Sequence, residues 1–201
     1  PVHWLARIHL HAPKLIVTDE FVPEILGCPT RFARMLGSSG FAALRSRFGA
    51  SPFRVDETLV FNVNAKSVYF CGKYFVPKMK KVKNGVILNI ASTAGLSPRP
   101  KLNWYNASKG WMITATKAMA IELAQFNVRV NALAPVAGTT PLLKSFMGGN
   151  SPKKKQAFLS TIPIGRFSTP QDMGNAACFL CSDEASMITG TVLEVDGGRC
   201  I

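Results

Sequence analysis

The segment from residue 85 to residue 134 constrains the fold more than any other part of the chain. It begins with the apolar run GVILNIA at 85–91 and ends with VRVNAL at 128–133, and both have the length and composition of buried strands. Between them, residues 103–125 carry apolar side chains at helical spacing, which predicts a long amphipathic helix. Strand, helix and strand in this order imply parallel strands joined by a right-handed crossover. The segment therefore predicts an α/β fold built on a parallel sheet.

A tyrosine and a lysine lie four residues apart at the start of this helix, in the sequence YNASK. Tyr105 and Lys109 therefore share one face of the helix, one turn apart. A nearby ammonium favours the phenolate, so such a pair can give up and take back a proton. Ser92 follows the preceding strand, and ligands of open α/β sheets gather at the carboxyl ends of strands. The alternative is an ordinary amphipathic pair with its polar tips in water.

The order NIASTAG, YNASKG and VRVNALAP resembles the short-chain dehydrogenase/reductase family, in particular its 3-oxoacyl-acyl-carrier-protein reductase and glucose dehydrogenase-like branch. The resemblance covers about residues 55–201. It implies a single domain with a three-layer, Rossmann-like, doubly wound parallel sheet that is incomplete on its N-terminal side. It also implies an NAD(P)-dependent oxidoreductase that interconverts a secondary alcohol and a ketone or other oxo group, with the choice between NAD and NADP undetermined.

The resemblance assigns catalytic roles to four residues. Tyr105 donates or accepts the hydroxyl proton, Lys109 favours the phenolate and binds the nicotinamide ribose, and Ser92 hydrogen-bonds the substrate oxygen. In FNVNAKS, Asn64 supports a proton-relay water, with Asn62 as the weaker candidate. From the residues alone, either asparagine is equally a polar residue at a helix interface.

A loop that touches the cofactor is expected after the second strand. The family usually has Pro-Gly there, followed by a threonine that contacts the nicotinamide carboxamide or a nearby phosphate. Here Pro135 is followed by Val136, and Gly138 comes two residues later. Counting along the chain assigns the contact to Thr140, with Thr139 adjacent. If a positive φ is needed in this loop, we expect it at Gly138.

Residues 1–54 lack the glycine-rich TGxxxGxG turn and the NNAG sequence that the resemblance implies for this part. The glycine cluster at 37–40 follows RFARML, which is not a strand pattern, so we interpret it as a loop. Prolines 13, 23, 29 and 52 interrupt the short apolar runs. Three interpretations are open: a divergent N-terminal half, a truncated one, or sequence outside the fold, such as translation in a shifted frame. We favour the last two.

Other elements flank the central segment. Residues from Val55 onwards predict a long helix with Pro77 late in the pattern. Residues 142–163 predict one or two short helices, which in the family form a mobile substrate lid. The apolar side chains of this segment suit either a core or a lid over a small or medium hydrophobic carbonyl compound, and they are Leu143, Phe146, Met147 and Phe158.

The C-terminal part predicts a helix and a strand. The helix runs from Pro170 to about Cys181, with Ser168 or Thr169 as its cap. The sequence ITGTVLEVDGG predicts a final buried strand that resembles the family's last strand and its subunit contact. The resemblance therefore implies a homodimer or homotetramer that acts on a small-molecule substrate.

Composition excludes several classes of function. The formal net charge of +13 raises the question of nucleic-acid binding, but the basic runs at 78–83 and 153–155 lack the interleaved aromatics of single-strand binders. We interpret them as solvated helix ends: the first run follows a helix, and the helix dipole favours lysine near a C-terminus, whereas the second lies in a later loop or at a helix start. We therefore do not expect a nucleic-acid partner. No apolar run approaches the ~20 residues that cross a bilayer, and no targeting signal is convincing, so the expected location is cytoplasmic.

Cysteine and histidine spacing predicts no metal site. Five cysteines show no disulfide pattern, and Cys178 and Cys181 are interpreted as small buried hydrophobic residues. His9 and His11 alternate like strand neighbours, but two ligands do not make a site.

The absent dinucleotide turn supports a second hypothesis. A catalytic tetrad without a pyrophosphate cradle has no hydride source, so the chain would then be a catalytically silent, reductase-like subunit that acts in folding or assembly. Titration of the purified protein with NADH and NADPH distinguishes the two hypotheses.

Overall fold

The computed structural model describes residues 15–18, 57–140, 143, 147, 149 and 151–201. Several sequence predictions fall outside these residues. They concern the N-terminal segment apart from 15–18, including the loop at 37–40 and the two histidines, as well as Phe146 in the segment predicted to form a lid.

The described part contains four strands and four α-helices, and two short 3-10 turns at Thr93–Gly95 and Asp183–Ala185. In chain order the elements are β1 (Leu15–Thr18), α1 (Glu57–Val82), β2 (Gly85–Ile90), α2 (Asn103–Ala124), β3 (Val128–Pro135), α3 (Pro152–Leu159), α4 (Pro170–Cys181) and β4 (Val192–Val195). The central strand, helix and strand lie where the sequence predicted them. None of the helices among these residues combines the length and apolarity needed to span a membrane.

The sheet is parallel throughout its described strands, in the order β1, β2, β3, β4. Gly85 pairs with Val128 and Ile90 with Leu133, so β2 and β3 run in register from one end to the other. Parallel strands place their carboxyl ends at one edge of a sheet, and the segments that follow β2, β3 and β4 all leave from that edge.

The helices cover both faces of the sheet, as the Rossmann-like interpretation predicted. On one face, Ile87 and Val130 pack with residues of α1 and α2 that include Met79 and Leu123. On the other face, the core cluster of Leu88, Ile90 and Leu133 includes Leu180 of α4. Neighbouring residues of β2 point to opposite faces because side chains alternate along a strand.

The first turn of α4 shows which residue caps the helix. The Thr169 side chain accepts a hydrogen bond from the Asp172 amide, and the Asp172 carboxylate accepts one from the Thr169 amide at 2.7 Å, which makes a capping box. Pro170 occupies the first turn, where its missing N–H costs nothing. Thr169 is therefore the cap, and Ser168 is buried beside the preceding loop.

Two details of the sequence interpretation are wrong. The first lysine run does not follow helix α1 but lies within its last turns, except for Lys83 just beyond it. The second run, lysines 153–155, occupies the first turn of α3, which is the helix start named as one of its two expected places. Strand β4 is half-buried instead of buried, because it lies at the edge of the described sheet.

The cysteine pair on α4 is only partly buried. Cys178 and Cys181 are half-buried free thiols, and Cys181 packs against the core cluster of the α4 face. Burial raises the pKa of the Cys181 thiol to about 12, so this thiol stays protonated and behaves as an apolar residue. The apolar interpretation therefore fits Cys181 better than Cys178.

Candidate active site

Ser92 lies two residues beyond the end of β2 and caps the turn Thr93–Gly95. Its Oγ accepts a hydrogen bond from the Ala94 amide at 3.1 Å, and the residue is half-buried. The turn packs closely on α2, since a Cβ added to Gly95 would lie 2.8 Å from the backbone carbon of Lys109. Glycine at 95 thus allows the turn that carries Ser92 to rest directly on the helix that carries Lys109.

Lys109 is buried, with 3% of its surface exposed. Its Nζ donates to the carbonyl oxygen of Ile90 at 2.8 Å and lies 5.8 Å from the centroid of the Tyr105 ring. Burying an ammonium is costly unless polar groups receive it, and here the carboxyl end of β2 provides an acceptor. The two residues are therefore not an ordinary amphipathic pair, because the lysine tip lies inside the protein.

Asn64 is linked to helix α2 by hydrogen bonds through Ser108. Its Nδ2 donates to Ser108 Oγ at 2.9 Å, and Ser108 Oγ donates to the carbonyl oxygen of Tyr105 at 2.8 Å. Asn64 and Ser108 are buried, whereas Asn62 is exposed. Asn64 is thus the asparagine at the interface of α1 and α2, which fits the interface interpretation, and its role with a relay water stays a prediction.

Ser108 is the residue of this group that sequence reasoning missed. It lies within YNASK, three positions after Tyr105, and a helical serine can bond the carbonyl three or four residues before it. The sequence alone therefore carried a signal for the bond to Tyr105. It carried none for the bond from Asn64, which joins residues 44 positions apart.

The loop after β3 lies against the turn after β2. Thr93 Oγ1 donates to the carbonyl oxygen of Pro135 at 3.2 Å, so the two strand ends are tied together. Val136 is buried, and its amide donates to the carbonyl oxygen of Val195 at 3.3 Å. This places the predicted cofactor loop beside the turn of Ser92.

The loop after β3 needs no positive φ at the two positions considered from the sequence. Neither Val136 nor Gly138 has a positive φ, so the loop tolerates valine where the family usually has glycine. Gly138 is needed for space instead: a Cβ there would lie 2.8 Å from Ser168 Oγ, where the two backbones form a bridge.

The two threonines of this loop differ in their contacts. The amide and the hydroxyl of Thr139 both donate to the carbonyl oxygen of Ser168, at 2.9 and 3.3 Å. The Thr140 amide donates to the carbonyl oxygen of Gly138, and the residue is half-buried. Because the Thr139 hydroxyl is already engaged with the protein, Thr140 stays the better candidate for the cofactor contact.

One cluster of possible metal ligands lies at the same edge of the sheet. Glu194, Asp196 and Cys200 offer ligand atoms within 4.8 Å of one another. Both carboxylate oxygens of Asp196 accept backbone amides, from Gly198 at 2.9 Å and Cys200 at 2.8 Å. Burial, followed by the neighbouring acids, raises the pKa of the Cys200 thiol to about 11. The cluster is thus accounted for by the turn that Asp196 stabilises.

A protein-family profile matches most of the chain. Residues 36–199 match the profile of a family described as enoyl-(acyl carrier protein) reductase. The match begins inside the segment that the sequence analysis separated at residue 54, and that boundary stays a prediction.

Two curated relatives cover different shares of the chain. The 4-formylbenzenesulfonate dehydrogenase of Comamonas testosteroni is 47% identical over 143 residues, which are 71% of this chain and 57% of the relative. The cyclopentanol dehydrogenase of a Comamonas species is 34% identical over 193 residues, which are 94% of this chain and 76% of the relative. The chain thus spans less than two thirds of the first relative.

A solved structure resembles the same part of the fold. The crystal structure of 3-ketoacyl-(acyl-carrier-protein) reductase from Brucella melitensis, complexed with NADH, superposes with a TM-score of 0.68 at 47% identity. The superposition covers 73% of this chain and 59% of that one.

Proposed function

The chain belongs to the short-chain dehydrogenase/reductase family, and from that premise we propose that it catalyses the NAD(P)-dependent interconversion of a secondary alcohol and a ketone. The observation that carries the proposal is the buried ammonium of Lys109, which lies at the carboxyl end of β2, 5.8 Å from the Tyr105 ring centroid. A cation held in this way favours the phenolate and so prepares the phenol for proton transfer.

The donor groups at this edge fit the nicotinamide-ribose end of a dinucleotide. Lys109 and Tyr105 can bond the ribose hydroxyls, and the loop of Pro135, Val136, Gly138 and Thr140 offers backbone and hydroxyl groups for the carboxamide. When bound, the nicotinamide would supply or accept the hydride. Both NAD and NADP fit this part of the site.

The proposed mechanism gives a separate role to each of four side chains. In the oxidative direction Tyr105, as the phenolate, accepts the hydroxyl proton of the alcohol, and in the reductive direction the phenol returns it to the forming alkoxide. The Ser92 hydroxyl donates a hydrogen bond to the substrate oxygen and orients it. Lys109 stabilises the phenolate, and Asn64 fixes the turn of α2 that bears Tyr105 through Ser108.

Replacing Tyr105 by phenylalanine tests the proposal. Tyr105→Phe removes the transferable proton and little volume, so turnover of a ketone substrate with NADH or NADPH should fall about 10²- to 10⁴-fold, the usual contribution of a general acid. The measurement is the initial rate of NAD(P)H consumption, with circular dichroism to show that the variant is folded. Full turnover by a folded Tyr105→Phe variant contradicts the assignment.

The rival function is a catalytically silent subunit. It is favoured by one observation: the sequence lacks the TGxxxGxG turn that cradles the pyrophosphate in the family. Titration with NADH and NADPH, followed by nicotinamide fluorescence, separates the two functions. Enhanced fluorescence with either nucleotide supports the oxidoreductase, and no binding by folded protein supports the silent subunit.

The names of two curated relatives support a small cyclic or aromatic substrate. One relative is named for 4-formylbenzenesulfonate and another for cyclopentanol. In this chain Leu143, Met147 and Phe158 pack against the buried cluster of Val136, Ile162 and Phe167, so apolar material lies next to the loop after β3. An apolar wall there favours a compact hydrophobic alcohol or ketone.

We also propose that the chain forms a homo-oligomer. Several large apolar side chains are exposed on the two long helices, and contiguous exposed apolar surface marks interaction sites. They are Tyr69, Phe70 and Tyr74 on α1 and Trp104, Trp111 and Ile121 on α2. Size-exclusion chromatography with light scattering tests this, and a monomer at micromolar concentration contradicts it.

A further inference from the structure

An open groove of about 330 Å³ lies between α3 and the turn that follows β4. We call it the Arg199 groove, and its lining residues are Met147, Lys154, Ala157, Phe158, Thr161 and Arg199. It combines two cationic side chains with an apolar wall. Neither cation has a role in the proposed catalysis.

The turn that carries Arg199 is held by hydrogen bonds to Asp196 and by the close packing of Gly197. Asp196 is buried and accepts the amides of Gly198 and Cys200 with its two carboxylate oxygens. Gly197 has a φ of +67° and packs so closely that a Cβ would lie 2.8 Å from Ile162 Cγ2. The backbone at Arg199 is therefore fixed before any ligand arrives, which lowers the entropy cost of binding.

The guanidinium of Arg199 is also fixed, and part of it lacks a protein acceptor. Its Cζ lies 4.3 Å from the centroid of the Phe158 ring, and Phe158 packs at 5.8 Å on the buried Phe167 ring. Arg199 Nη1 is buried and has no hydrogen-bond partner within the described part of the chain. No ion pair joins Arg199 to another described residue. A buried charged donor favours an acceptor from a ligand.

The groove opens at the edge of the sheet that carries the candidate active site. Arg199 follows the end of β4 by four residues, and Ser92 follows the end of β2 by two, so the parallel strands deliver both to the same edge. Val136, which directly follows β3, belongs to the apolar cluster against which Met147 and Phe158 pack. The apolar wall thus runs from the groove to the proposed cofactor loop.

We propose that the Arg199 groove binds the anionic group, a sulfonate or carboxylate, of a substrate whose body is aromatic or otherwise apolar. The Arg199 guanidinium binds the anionic group, and Lys154 adds a second positive charge. Phe158 and Met147 contact the apolar body of the substrate. The inference rests on the proposed function in one respect, which is that the anion belongs to the molecule oxidised or reduced at Tyr105.

The test measures binding without turnover. Isothermal titration of the full chain compares benzenesulfonate with benzenesulfonamide, which has nearly the same shape but is neutral at pH 7, and with inorganic sulfate. The expected result is binding of benzenesulfonate at least about tenfold tighter than benzenesulfonamide, as charge-assisted hydrogen bonds predict, and tighter than sulfate. Equal binding of the two arenes overturns the proposal, and equal binding of sulfate and benzenesulfonate overturns the role of the apolar wall.

Single substitutions test whether benzenesulfonate binds in the Arg199 groove. Arg199→Gln should weaken benzenesulfonate about tenfold or more and leave benzenesulfonamide unchanged, and Lys154→Gln should weaken it less. Lys155→Gln is the matched control, because Lys155 is the next residue of the same helix turn and does not line the groove. If Arg199→Gln fails to fold, the comparison of Lys154→Gln with Lys155→Gln decides, and equal affinities in that pair overturn the proposal.

The outcome is separable from that of the proposed function. Binding of benzenesulfonate requires no nicotinamide and no proton transfer, so a silent chain can still show it. Conversely, loss of turnover in Tyr105→Phe together with equal binding of the two arenes sustains the oxidoreductase and rejects the Arg199 groove.

Discussion

At the scale of single residues, the candidate site depends on polar side chains that are buried and bonded inside the protein. Lys109 donates to the end of a strand, and Asn64 and Ser108 form a chain of hydrogen bonds to the Tyr105 backbone. Buried polar groups with satisfied partners hold one geometry firmly, because each partner that is lost leaves another group unpaired. The position of the Tyr105 phenol is thus set by its neighbours as well as by its own rotamer.

Ser108→Ala should therefore affect both stability and turnover. The change leaves Asn64 Nδ2 and the Tyr105 carbonyl without this partner in a buried place, which should lower the free energy of unfolding by about 1–3 kcal/mol. Turnover should fall through kcat more than KM, since the phenol loses its fixed position. Urea unfolding and steady-state kinetics measure the two effects.

Ser160→Ala is the control for this prediction. Ser160 makes the same kind of bond, to the carbonyl of Ala157 three residues before it, but it is exposed. It should change stability by less than about 0.5 kcal/mol, as exposed sites usually do. Similar losses in Ser108→Ala and Ser160→Ala contradict the argument from burial.

At the scale of elements, the start of α4 shows how side-chain hydrogen bonds stabilise a helix end. The capping box of α4 is joined by Arg166, whose guanidinium bonds both Asp172 oxygens at 2.7 and 3.0 Å. The hydrogen bond from Arg166, followed by those from Thr169, holds the pKa of the Asp172 carboxyl well below its usual range. The carboxylate thus links the loop before α4 to its first turn.

The stability contributed by Asp172 should depend on pH. A carboxyl whose pKa is depressed in the folded state stabilises the protein above its unfolded pKa of about 3.9 and loses this effect as pH falls toward the folded value. Asp172→Asn should therefore be less stable than the wild type at pH 7, and the difference should narrow below about pH 4. Urea unfolding at pH 7 and pH 3 measures it, and an equal difference at both contradicts the prediction. Asp183→Asn serves as an exposed control.

At the scale of the whole molecule, two helix layers enclose one parallel sheet, and the core depends on the alternation of side chains along β2 and β3. Leu133 is 1% exposed and packs with Leu88, Ile90 and Leu180 between the sheet and α4. The neighbouring β3 residue Ala132 packs on the opposite face with Met112 of α2. Both helix layers therefore depend on the same central strands.

Leu133→Ala should destabilise the protein by about 2–5 kcal/mol, because it removes buried methyl groups and leaves a cavity that the sheet cannot close. Met187→Ala, in the turn after Asp183–Ala185 where the side chain is 96% exposed, should cost far less. Urea unfolding of both variants checks the contrast. A loss below about 1 kcal/mol in Leu133→Ala would mean that the site can collapse.

The sequence predicted those parts of the fold that local patterns determine. Helix α2 ends within one residue of its predicted end, since apolar periodicity and the YNASK start define it, and Pro170 correctly marks the start of α4. The parallel pairing of β2 with β3 also followed from the order of elements. Tyr105 and Lys109 could be placed on one face because helix geometry requires it.

Contacts distant in the chain could not be predicted in this way. The burial of Lys109 depends on the Ile90 carbonyl, and the reason for Gly138 depends on Ser168, which lies 30 positions further on. The half-buried state of β4 reflects its place at the sheet edge, which no pattern within four residues reveals. The Arg199 groove likewise joins α3 to a turn about 40 residues later.

The burial of Lys109 has a consequence for chemical labelling. Amine-reactive reagents modify lysines in proportion to solvent access, so acetic anhydride or formaldehyde with borohydride should modify surface lysines such as Lys101 and Lys155 while sparing Lys109. Peptide mass spectrometry of the labelled protein would then report directly whether the Lys109 amine has left its position beside the Ile90 carbonyl.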